Sequence, residues 1–523
     1  MEQEEHNTCA DGKDGKFDYL VIGTGLCESM VAYHLAASNT SATVLQVDPN
    51  SYYGQSWAAI QLEQLQTGSF ASSPASSFCT ATTDRGSVST DRPSQAPSST
   101  TNLTSYALSL LPTLVPARGT FVDALISSNV APYLSFQLLH HFILAQPDHS
   151  LLSLPGSKHD LFRMAQLSLL DKRLLMRFFQ SILDSDQLVL REHVLSVSFL
   201  LLLPLILYSG DPEADESLSK YLSRPPYSMT NPRLVSVVGA LSLSAQKEPL
   251  ALPVVRRLKT LLRAILRYLR CRRRCCWASM AAGANGRKAL CGQPRSLDGP
   301  PKSSAAPSCP CVRPRTAVLI DGPSDLALLL SQQYLSLLAS DIPSPPTAYT
   351  ICRAIAIVGR PGLDKLSHNR DTSPSVEPRG SHALVVFPPD DATTQQPVHA
   401  LVVGPDSASC PEDEQVIYLS SVVTGGDKAV DPRRLLEPVL GRLISSASSN
   451  TPQDLLRCSA FYTQRVTHLP SPSSLPSHLW LVPIWPVDLE RSSFAEVVEW
   501  ATEVAQHLCN LASAPDSPPQ NFP

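Results

Sequence analysis

Several features that would assign a protein to a simple class are scarce in this sequence of 523 residues. Neither charge is in marked excess, since 42 Lys and Arg oppose 46 Asp and Glu for a net charge of −4. A chain that binds nucleic acid or anionic membrane over much of its surface would need a strongly basic balance, so neither partner is predicted. The first residues, MEQEEHNTC, are acidic and polar, which predicts that they are not a secretory signal.

Long hydrophobic runs are also scarce. Residues 194–208, VLSVSFLLLLPLILY, form an apolar run with Pro204 inside it, whereas a membrane-spanning helix needs about 20 apolar residues. We therefore expect a buried core helix or an aberrant insert here, with a membrane span as the less favoured alternative. Hydrophobic residues still make up 43% of the chain, and its length favours two or more domains.

The cysteines lack the spacing of a disulfide framework or of a zinc site. There are 13 of them, an odd number, scattered along the chain, which predicts reduced thiols in the cytosol. The group between Cys271 and Cys311 contains no CxxC pair and no histidine at ligand spacing. Structural zinc usually shows paired ligands, so no metal site is predicted.

What the sequence does contain is a dinucleotide-type unit near its start. In FDYLVIGTGLCES an apolar run suited to a buried parallel strand leads into Gly23 and Gly25, which begin a predicted helix, and a second strand ends at Asp48. In dinucleotide-binding units the first glycine permits the tight turn and the second lets the backbone approach a pyrophosphate. The acid binds the ribose hydroxyls. The arrangement predicts an α/β fold.

The third position of this fingerprint departs from the pattern. Glu28 occupies the place where a third glycine or another small residue is needed for close packing beside the pyrophosphate. A carboxylate in the first turn of the helix occupies the positive end of the helix dipole, which the phosphate would otherwise use. The sequence therefore predicts the fold without a cofactor; the alternative is an enzyme that binds its cofactor loosely.

The segments GTGLCES and VLQVDPNSYYGQSWA resemble the first conserved block of the Rab GDP-dissociation inhibitor and Rab escort superfamily. Trp57, in YYGQSW, is closer to the escort branch than to the inhibitor branch. The family's fold resembles that of flavin monooxygenases, although its members use no flavin. The resemblance implies a flavin-monooxygenase-like α/β domain I with a smaller all-α domain II and disordered inserts.

The resemblance also implies roles for individual residues. Tyr52, Tyr53 and Gly54 would contribute to the platform that holds the Rab GTPase, with Tyr53 the strongest candidate and Trp57 beside them. The alternative is that the tyrosines merely pack the loop after the second strand. Gly23, Gly25, Glu28 and Asp48 would form a degenerate fingerprint, and no catalytic residue, metal or cofactor is expected.

The implied function is that of a Rab escort protein, a non-catalytic accessory subunit. It would bind unprenylated, GDP-bound Rab GTPases, present them to the catalytic heterodimer of Rab geranylgeranyltransferase, and deliver the prenylated Rab to membranes while shielding the geranylgeranyl lipid. Such a protein would be cytosolic, with transient membrane contact and no nucleic-acid partner. The alternatives are a Rab GDP-dissociation inhibitor, or an FAD- or NAD-dependent oxidoreductase of the same fold.

Further matches lie in a helical region. Residues 151–183 resemble the family's helices that carry an LxxxEKRxLMxFL-like run, and Asp171-Lys172-Arg173 stand at the corresponding place. The family uses this helical domain to contact the prenyltransferase and to receive the lipid. Apolar residues recur there at helical spacings of three and four, at Leu161, Met164, Leu167, Leu170, Leu174 and Phe178.

Composition divides the chain into six predicted segments. Strand-like runs are predicted at 317–320, 351–358, 383–387, 400–403 and 415–420, and a final helix at 493–510. The segments are 1–65, the first part of domain I; 66–105, a disordered Ser/Thr/Pro-rich insert; 106–250, a mainly helical domain II; 251–315, an atypical basic and Cys-rich segment; 316–512, the second part of domain I; and 513–523, a disordered tail.

The fourth segment departs most from the family. Family members carry a glycine-rich stretch here that completes the GTPase platform, whereas this chain has RCRRRCCWASMAAGANGRKALCGQPR, starting at Arg270. Part of the platform is therefore predicted to be missing. The preceding run, ALPVVRRLKTLLRAILRYL, predicts a basic amphipathic helix; nucleic acid or anionic lipid is an alternative partner for it, but a solvated segment is favoured.

Overall fold

The structure, a computed structural model, describes the following parts of the chain: 16–38, 42–48, 53–54, 57–68, 106–134, 136–139, 141–156, 158–190, 212–213, 215–244, 246–269, 277–280, 313–320, 347–359, 382–389, 395–423, 430–447, 455–467, 479–481 and 494–513. The strands are β1 (Lys16–Ile22), β2 (Val44–Val47), β3 (Ala59–Ile60), β4 (Leu108–Ser109), β5 (Leu114–Pro116), β6 (Phe136–Leu138), β7 (His141–Ala145), β8 (Leu151–Ser153), β9 (Trp277–Met280), β10 (Arg313–Ile320), β11 (Thr347–Gly359), β12 (Ala383–Phe387), β13 (Val398–Val403), β14 (Glu414–Val423), β15 (Leu456–Thr467) and β16 (Leu479–Leu481). The helices are α1 (Leu26–Ser38), α2 (Leu62–Thr67), α3 (Thr120–Ser127), α4 (Lys158–Arg163), α5 (Leu169–Leu190), α6 (Leu218–Ser223), α7 (Pro232–Leu241), α8 (Ala251–Leu269), α9 (Pro432–Ala447) and α10 (Phe494–Ser513).

A parallel sheet forms the dinucleotide-type part of the fold. Its strand order is β2-β1-β10-β16, and each neighbouring pair is parallel. Tyr19, Val21 and Ile22 of β1 are each 1% exposed, so the second half of the strand lies in the interior. α1 links β1 to β2 and packs, with α3 and α10, into one apolar cluster. The predicted strand–turn–helix–strand unit and the α/β class are confirmed.

A larger mixed sheet combines five strands from the second half of the chain with β7 and β8 from the first half. Its order is β15-β11-β14-β13-β12-β7-β8, and only β12 and β7 pair in parallel within it. Alternate residues of β11 belong to two separate cores. Ala354 and Ala356 pack on the side covered by α9, whereas Ile355 and Ile357 join the helical cluster on the other side. Both faces are therefore covered.

The helices from α4 to α8 form a layer against that second face. Phe178 of α5, Val238 of α7 and Leu258 of α8 are each 0% exposed and belong to the same cluster as Ile355 of the sheet. α8 buries its apolar residues, such as Val254 and Leu258, while Arg256 remains exposed. The predicted basic amphipathic helix is therefore present, and its apolar side is part of the interior.

Residues 106–156, predicted to belong to a mainly helical region, contain strands instead. β7 pairs in parallel with β12, where Ala383 lies opposite His141, and forms an antiparallel pair with β8. A short apolar run such as HFILA cannot be assigned to strand or helix by periodicity, and its partner strand is remote in sequence. Apart from α3, the helices of the predicted helical region begin at Lys158. The domain boundaries themselves stay a prediction.

The two segments that were predicted to be disordered, 66–105 and 513–523, both have their first residues in helices. α2 continues to Thr67 and ends at Gly68, which has a left-handed φ of 69°, so the insert does not begin at residue 66. Glycine is the residue that ends helices most readily in this conformation. Likewise α10 reaches Ser513, the first residue of the predicted tail. Residues 69–105 and 514–523 lie outside the described residues.

The predicted strand-like runs all fall within β10 to β14, and the predicted last helix, 493–510, corresponds to α10 from Phe494 onward, so these predictions are confirmed. α9 and β15 were missed. α9 contains Pro438, which normally argues against a helix interior. β15 carries buried polar residues, among them Ser459 and Gln464, and therefore lacks the apolar alternation of a half-buried strand.

Among the helices that the structure describes, none is both long enough and apolar enough to cross a membrane. The apolar run at 194–208 lies outside the described residues, and so do the cysteines between 271 and 311. The predictions for these two segments stay predictions.

Candidate functional site

The turn between β1 and α1 is fixed by hydrogen bonds to β2. Gly23 has a φ of 107°, which glycine adopts without the strain that a side chain would bring. Its N–H donates to the Val47 oxygen at 2.7 Å, and Gln46 Nε2 donates to the Gly23 oxygen at 2.8 Å. α1 therefore starts where the carboxyl ends of β1 and β2 meet, which is where nucleotides bind in open α/β sheets.

Glu28 is buried close to that position. It lies in the first turn of α1 and is only 2% exposed. The Ser29 N–H donates to the Gly25 oxygen at 3.0 Å, so helical hydrogen bonding is established directly after the glycine turn. A pyrophosphate would need the first amides of this helix, and a buried carboxylate there adds bulk and negative charge. The residues present do not fit a dinucleotide.

The acid at the end of β2 also has a partner within the protein. The Thr24 hydroxyl donates to Asp48 Oδ2, and the same hydroxyl oxygen accepts the Gly54 N–H at 2.8 Å. The carboxylate that would receive a ribose hydroxyl is thus hydrogen-bonded to the glycine turn. Asp48, Thr24 and Gly54 join the first turn of the fingerprint to the turn that follows β2.

That second turn exposes a tyrosine. We refer to Tyr53, Gly54 and Trp57 as the tyrosine turn. Tyr53 is 52% exposed, whereas Gly54 is buried and has a φ of 99°, a value that disfavours other residues. The Trp57 N–H donates to the Gly54 oxygen at 2.7 Å and closes the turn. Tyr52, the other predicted tyrosine, lies outside the described residues.

Trp57 supports this turn by packing inward. Its ring lies 5.5 Å from that of Phe494 at the start of α10, and Phe494 stacks on Phe121 of α3 with centroids 4.5 Å apart. The partly buried Trp57 also packs against two apolar clusters. Its predicted place in a docking platform stays a prediction, to which the structure adds a role in anchoring the turn.

A second exposed surface lies on the helical layer. Phe162 at the end of α4 is 44% exposed, and Leu169 and Leu170 at the start of α5 are 67% and 70% exposed. We refer to these three residues as the apolar patch. Large apolar side chains grouped on a surface are typical of a protein interface. The apolar spacing predicted one helical face or two consecutive ones; the structure has two helices, since α4 ends at Arg163 and α5 starts at Leu169, and Leu170 in the first turn of α5 is exposed.

Polar contacts hold the two helices of the patch together. Lys172 is only 6% exposed, and its Nζ donates to the Phe162 oxygen at 2.9 Å. Ser168 and Asp171 bond reciprocally: Ser168 Oγ donates to Asp171 Oδ2 at 2.8 Å, and the Asp171 N–H donates to Ser168 Oγ at 3.1 Å. The sequence identified Asp171-Lys172-Arg173 but missed Phe162. The S-x-x-D start of a new helix was the available signal.

The described residues include no group of metal ligands, and the pKa values of two buried cysteines are raised. No three His, Cys, Asp or Glu side chains gather there as a metal site would require. Burial raises the pKa of Cys352 to about 12 and that of Cys458 to about 11, so neither thiol provides a thiolate at neutral pH.

Comparison with known proteins gives the class first. A crystal structure of a Rab GDI from Plasmodium falciparum superposes with a TM-score of 0.55 at 12% identity, covering 94% of this chain and 98% of the other. This likeness identifies the fold. The class is therefore a protein with a dinucleotide-type fold whose fingerprint, with the buried Glu28 at its third position, does not fit a dinucleotide.

Sequence comparison finds a matching family model and several relatives. The family model described as GDP dissociation inhibitor matches residues 13–188. A Candida albicans protein named Rab proteins geranylgeranyltransferase component A is 25% identical over 468 residues, which cover 84% of this chain and 64% of the relative. A Drosophila melanogaster protein of the same name is 30% identical over 177 residues, which cover 32% of this chain and 34% of that relative.

Residues 13–188 thus match the GDP dissociation inhibitor model, in agreement with the resemblance of the first conserved block. The match spans less than two thirds of the length of either relative.

Proposed function

We propose that this protein is a Rab escort protein, a non-catalytic subunit that binds unprenylated, GDP-bound Rab GTPases. The observation that carries the proposal is the tyrosine turn: Tyr53 is half exposed beside a fingerprint whose polar groups bond within the protein. A partly exposed tyrosine on a fixed backbone suits a protein contact, because it offers large apolar area at low entropic cost. The match of residues 13–188 to the GDP dissociation inhibitor model and the names of the relatives favour a Rab as the partner.

The apolar patch supports the escort function in particular. An escort protein needs a second surface, for the catalytic heterodimer of Rab geranylgeranyltransferase, besides the surface that holds the Rab. Phe162, Leu169 and Leu170 are exposed on the helical layer, which is the region that the family resemblance assigns to the transferase. The names of the Candida and Drosophila relatives favour the same assignment.

No covalent step is required of this chain. By holding a Rab and the transferase together, it would make attack at a Rab cysteine effectively intramolecular, which lowers the entropic part of the barrier. Shielding the geranylgeranyl chains afterwards would rest on burial of CH₂ groups, each worth about 0.8 kcal/mol. Such a carrier works in the cytosol and touches membranes only at delivery.

The first test is direct binding of the full chain to an unprenylated, GDP-loaded Rab. We expect Tyr53→Ala to weaken binding about 30-fold, because a central tyrosine contributes roughly 2 kcal/mol to an interface. Tyr133→Ala is the matched control, since Tyr133 is exposed to a similar degree, 59% against 52%, on a different element. Equal effects of the two substitutions would contradict the assignment.

A prenylation assay separates an escort protein from a GDP-dissociation inhibitor, the second candidate. With Rab, transferase and geranylgeranyl diphosphate present, we expect this chain to support lipid transfer, and Phe162→Ala to reduce transfer without changing Rab affinity. Phe136→Ala, which removes a phenylalanine exposed elsewhere, is the control. Tight Rab binding without any lipid transfer would favour the inhibitor.

An oxidoreductase of the same fold makes a different prediction, namely a bound flavin. The buried Glu28 and the bonded Asp48 both oppose it. We expect purified protein that has been incubated with FAD and then desalted to show no visible flavin absorbance. Retained flavin would overturn the escort proposal.

A further inference from the structure

The hydroxyl of Thr24 connects the degenerate fingerprint to the tyrosine turn. It donates its one hydrogen to Asp48 and accepts the Gly54 N–H at 2.8 Å. Thr24 itself is 4% exposed, so water has little access to either bond. A hydroxyl has one donor and two acceptor sites, and the bond to Asp48 leaves its lone pairs available for the Gly54 amide.

This contact acts on the peptide unit directly after Tyr53. The peptide between Tyr53 and Gly54 is planar, so fixing the direction of the Gly54 N–H also fixes the ψ angle of Tyr53. The Gly54 carbonyl is held as well, since it accepts the Trp57 N–H at 2.7 Å. With both polar groups of Gly54 bonded, the backbone that carries the exposed Tyr53 has little freedom.

We propose that Thr24 is a positioning residue for partner binding: its hydroxyl, oriented by Asp48, fixes the backbone on which Tyr53 is presented. This inference rests on the proposed function of Tyr53 as a contact for the partner. In this inference, Asp48 does not bind a ribose, as the acid does in dinucleotide-binding units; its carboxylate accepts the Thr24 hydrogen bond and orients that hydroxyl. The residues of the fingerprint then serve protein recognition through the turn that follows them.

The test uses the full chain with a GDP-loaded, unprenylated Rab, and it begins with Thr24→Val and Thr24→Ser. Valine keeps the shape but removes both hydrogen bonds, and we expect about tenfold weaker binding, which corresponds to roughly 1.4 kcal/mol. Serine keeps the hydroxyl, and we expect affinity within about threefold of the natural protein. Weak binding by the serine variant as well would overturn the positioning role.

A double-mutant cycle separates positioning from general damage. If Thr24 acts through Tyr53, Thr24→Val has no further effect on affinity once Tyr53→Ala is present. A merely structural role would instead lower affinity by the same factor in both backgrounds. Val238→Ala, in the core of the helical layer, serves as the destabilised control: it lowers the melting temperature, and we expect unchanged Rab affinity.

A second pair of variants covers the case in which Thr24→Val does not fold. Asp48→Asn keeps an oxygen acceptor for the Thr24 hydroxyl and is expected to bind Rab normally, whereas Asp48→Ala leaves the hydroxyl free to rotate and is expected to bind more weakly. Equal affinities of these two variants would overturn the inference. If Tyr53→Ala itself leaves binding unchanged, the docking role of the turn fails and the inference fails with it. If only Tyr53→Ala weakens binding, the proposed function stands and the inference alone is wrong.

Discussion

Burial shifts the pKa values of two hydrogen-bonded residues, Tyr106 and Glu414. Glu414, at the start of β14, receives a hydrogen bond of 2.5 Å from the Tyr106 hydroxyl. Burial raises the pKa of Glu414 above its ordinary value of 4.5, and the Tyr106 bond only partly opposes this. Burial and the same carboxylate also raise the pKa of Tyr106. The pair links the residues before β4 to the large sheet.

This raised pKa predicts a specific pH dependence of stability. A carboxyl group whose pKa is higher in the folded state stabilises the fold below pH 4.5, and this contribution is lost as the pH rises through the folded pKa. We expect the melting temperature of the natural protein, relative to that of Glu414→Gln, to be highest below pH 4.5 and to fall toward pH 7. Glutamine keeps an acceptor for Tyr106 but cannot titrate. A constant difference between the two proteins across this range would contradict the pKa shift.

At this scale the sequence located the fingerprint residues but not their contacts. Gly23, Gly25, Glu28 and Asp48 lie where the spacing placed them, because strand, turn and helix are set by local pattern. The bond from the Gly54 amide to Thr24 depends on how two turns approach in space, which no local pattern encodes.

Among the elements, α10 depends most visibly on a few aromatic contacts. Its first residue, Phe494, is 6% exposed and lies between Trp57 of the tyrosine turn and Phe121 of α3. The same helix packs along α1 within one apolar cluster. A helix from the end of the chain thereby supports both the fingerprint helix and the proposed docking turn.

Removing this aromatic contact should affect stability and binding together. We expect Phe494→Ala to lower the free energy of unfolding by about 3 to 5 kcal/mol, as large-to-small changes in cores do. Rab affinity should fall too, because Trp57 loses its support. Urea denaturation and a binding titration measure the two effects. Phe162→Ala, an exposed phenylalanine, is the control for stability, with an expected change below about 0.5 kcal/mol. Comparable destabilisation by both variants would contradict this picture.

The junction of α4 and α5 depends on a buried lysine. Lys172 donates to the Phe162 oxygen at 2.9 Å and so holds the end of α4 against α5. We expect Lys172→Met to lower the free energy of unfolding by about 1 kcal/mol and to weaken transferase binding, because Phe162 is no longer held in place. Lys220→Met, which removes an exposed lysine of α6, should change neither. Unchanged transferase affinity in Lys172→Met would show that this bond does not position the patch.

Elements were predictable where their burial is uniform. β12 and β13 are buried at every residue and match the apolar runs that predicted them. β7 and β15 were not predicted as strands, since one is a short run paired with a remote partner and the other carries buried polar residues. In both cases the sheet stabilises a strand that its own sequence specifies weakly.

At the scale of the whole molecule, the residues that the structure describes include two exposed candidate surfaces, the tyrosine turn beside the parallel sheet and the apolar patch on the helical layer. If they serve different partners, their contributions to prenylation are independent. A carrier of this design gains its effect by engaging both partners at once, so losing either contact is enough to slow lipid transfer.

Independence of the two surfaces is measurable in the prenylation assay. We expect Tyr53→Ala and Phe162→Ala each to lower kcat/KM for Rab prenylation, and the double variant to lower it by the product of the two factors. Free-energy effects of distant, unconnected sites usually add within about 0.5 kcal/mol. A double variant no worse than the more damaging single variant would indicate one shared surface rather than two.

The parallel sheet and the larger mixed sheet each join strands that are remote in sequence, and this has a consequence for biosynthesis. β1 pairs with β10, which pairs with β16, and β7 pairs with β12. While the chain emerges from the ribosome, β1 has only β2 beside it and β7 has only β8 until β10 and β12 have been made, and the parallel sheet is complete only with β16 near residue 480. Folding dominated by such remote contacts is slow, and unpaired apolar strands are prone to aggregate. Truncated forms that end before β12 should therefore accumulate as insoluble protein, and the yield of the full chain should depend on how well chaperones protect the nascent first half.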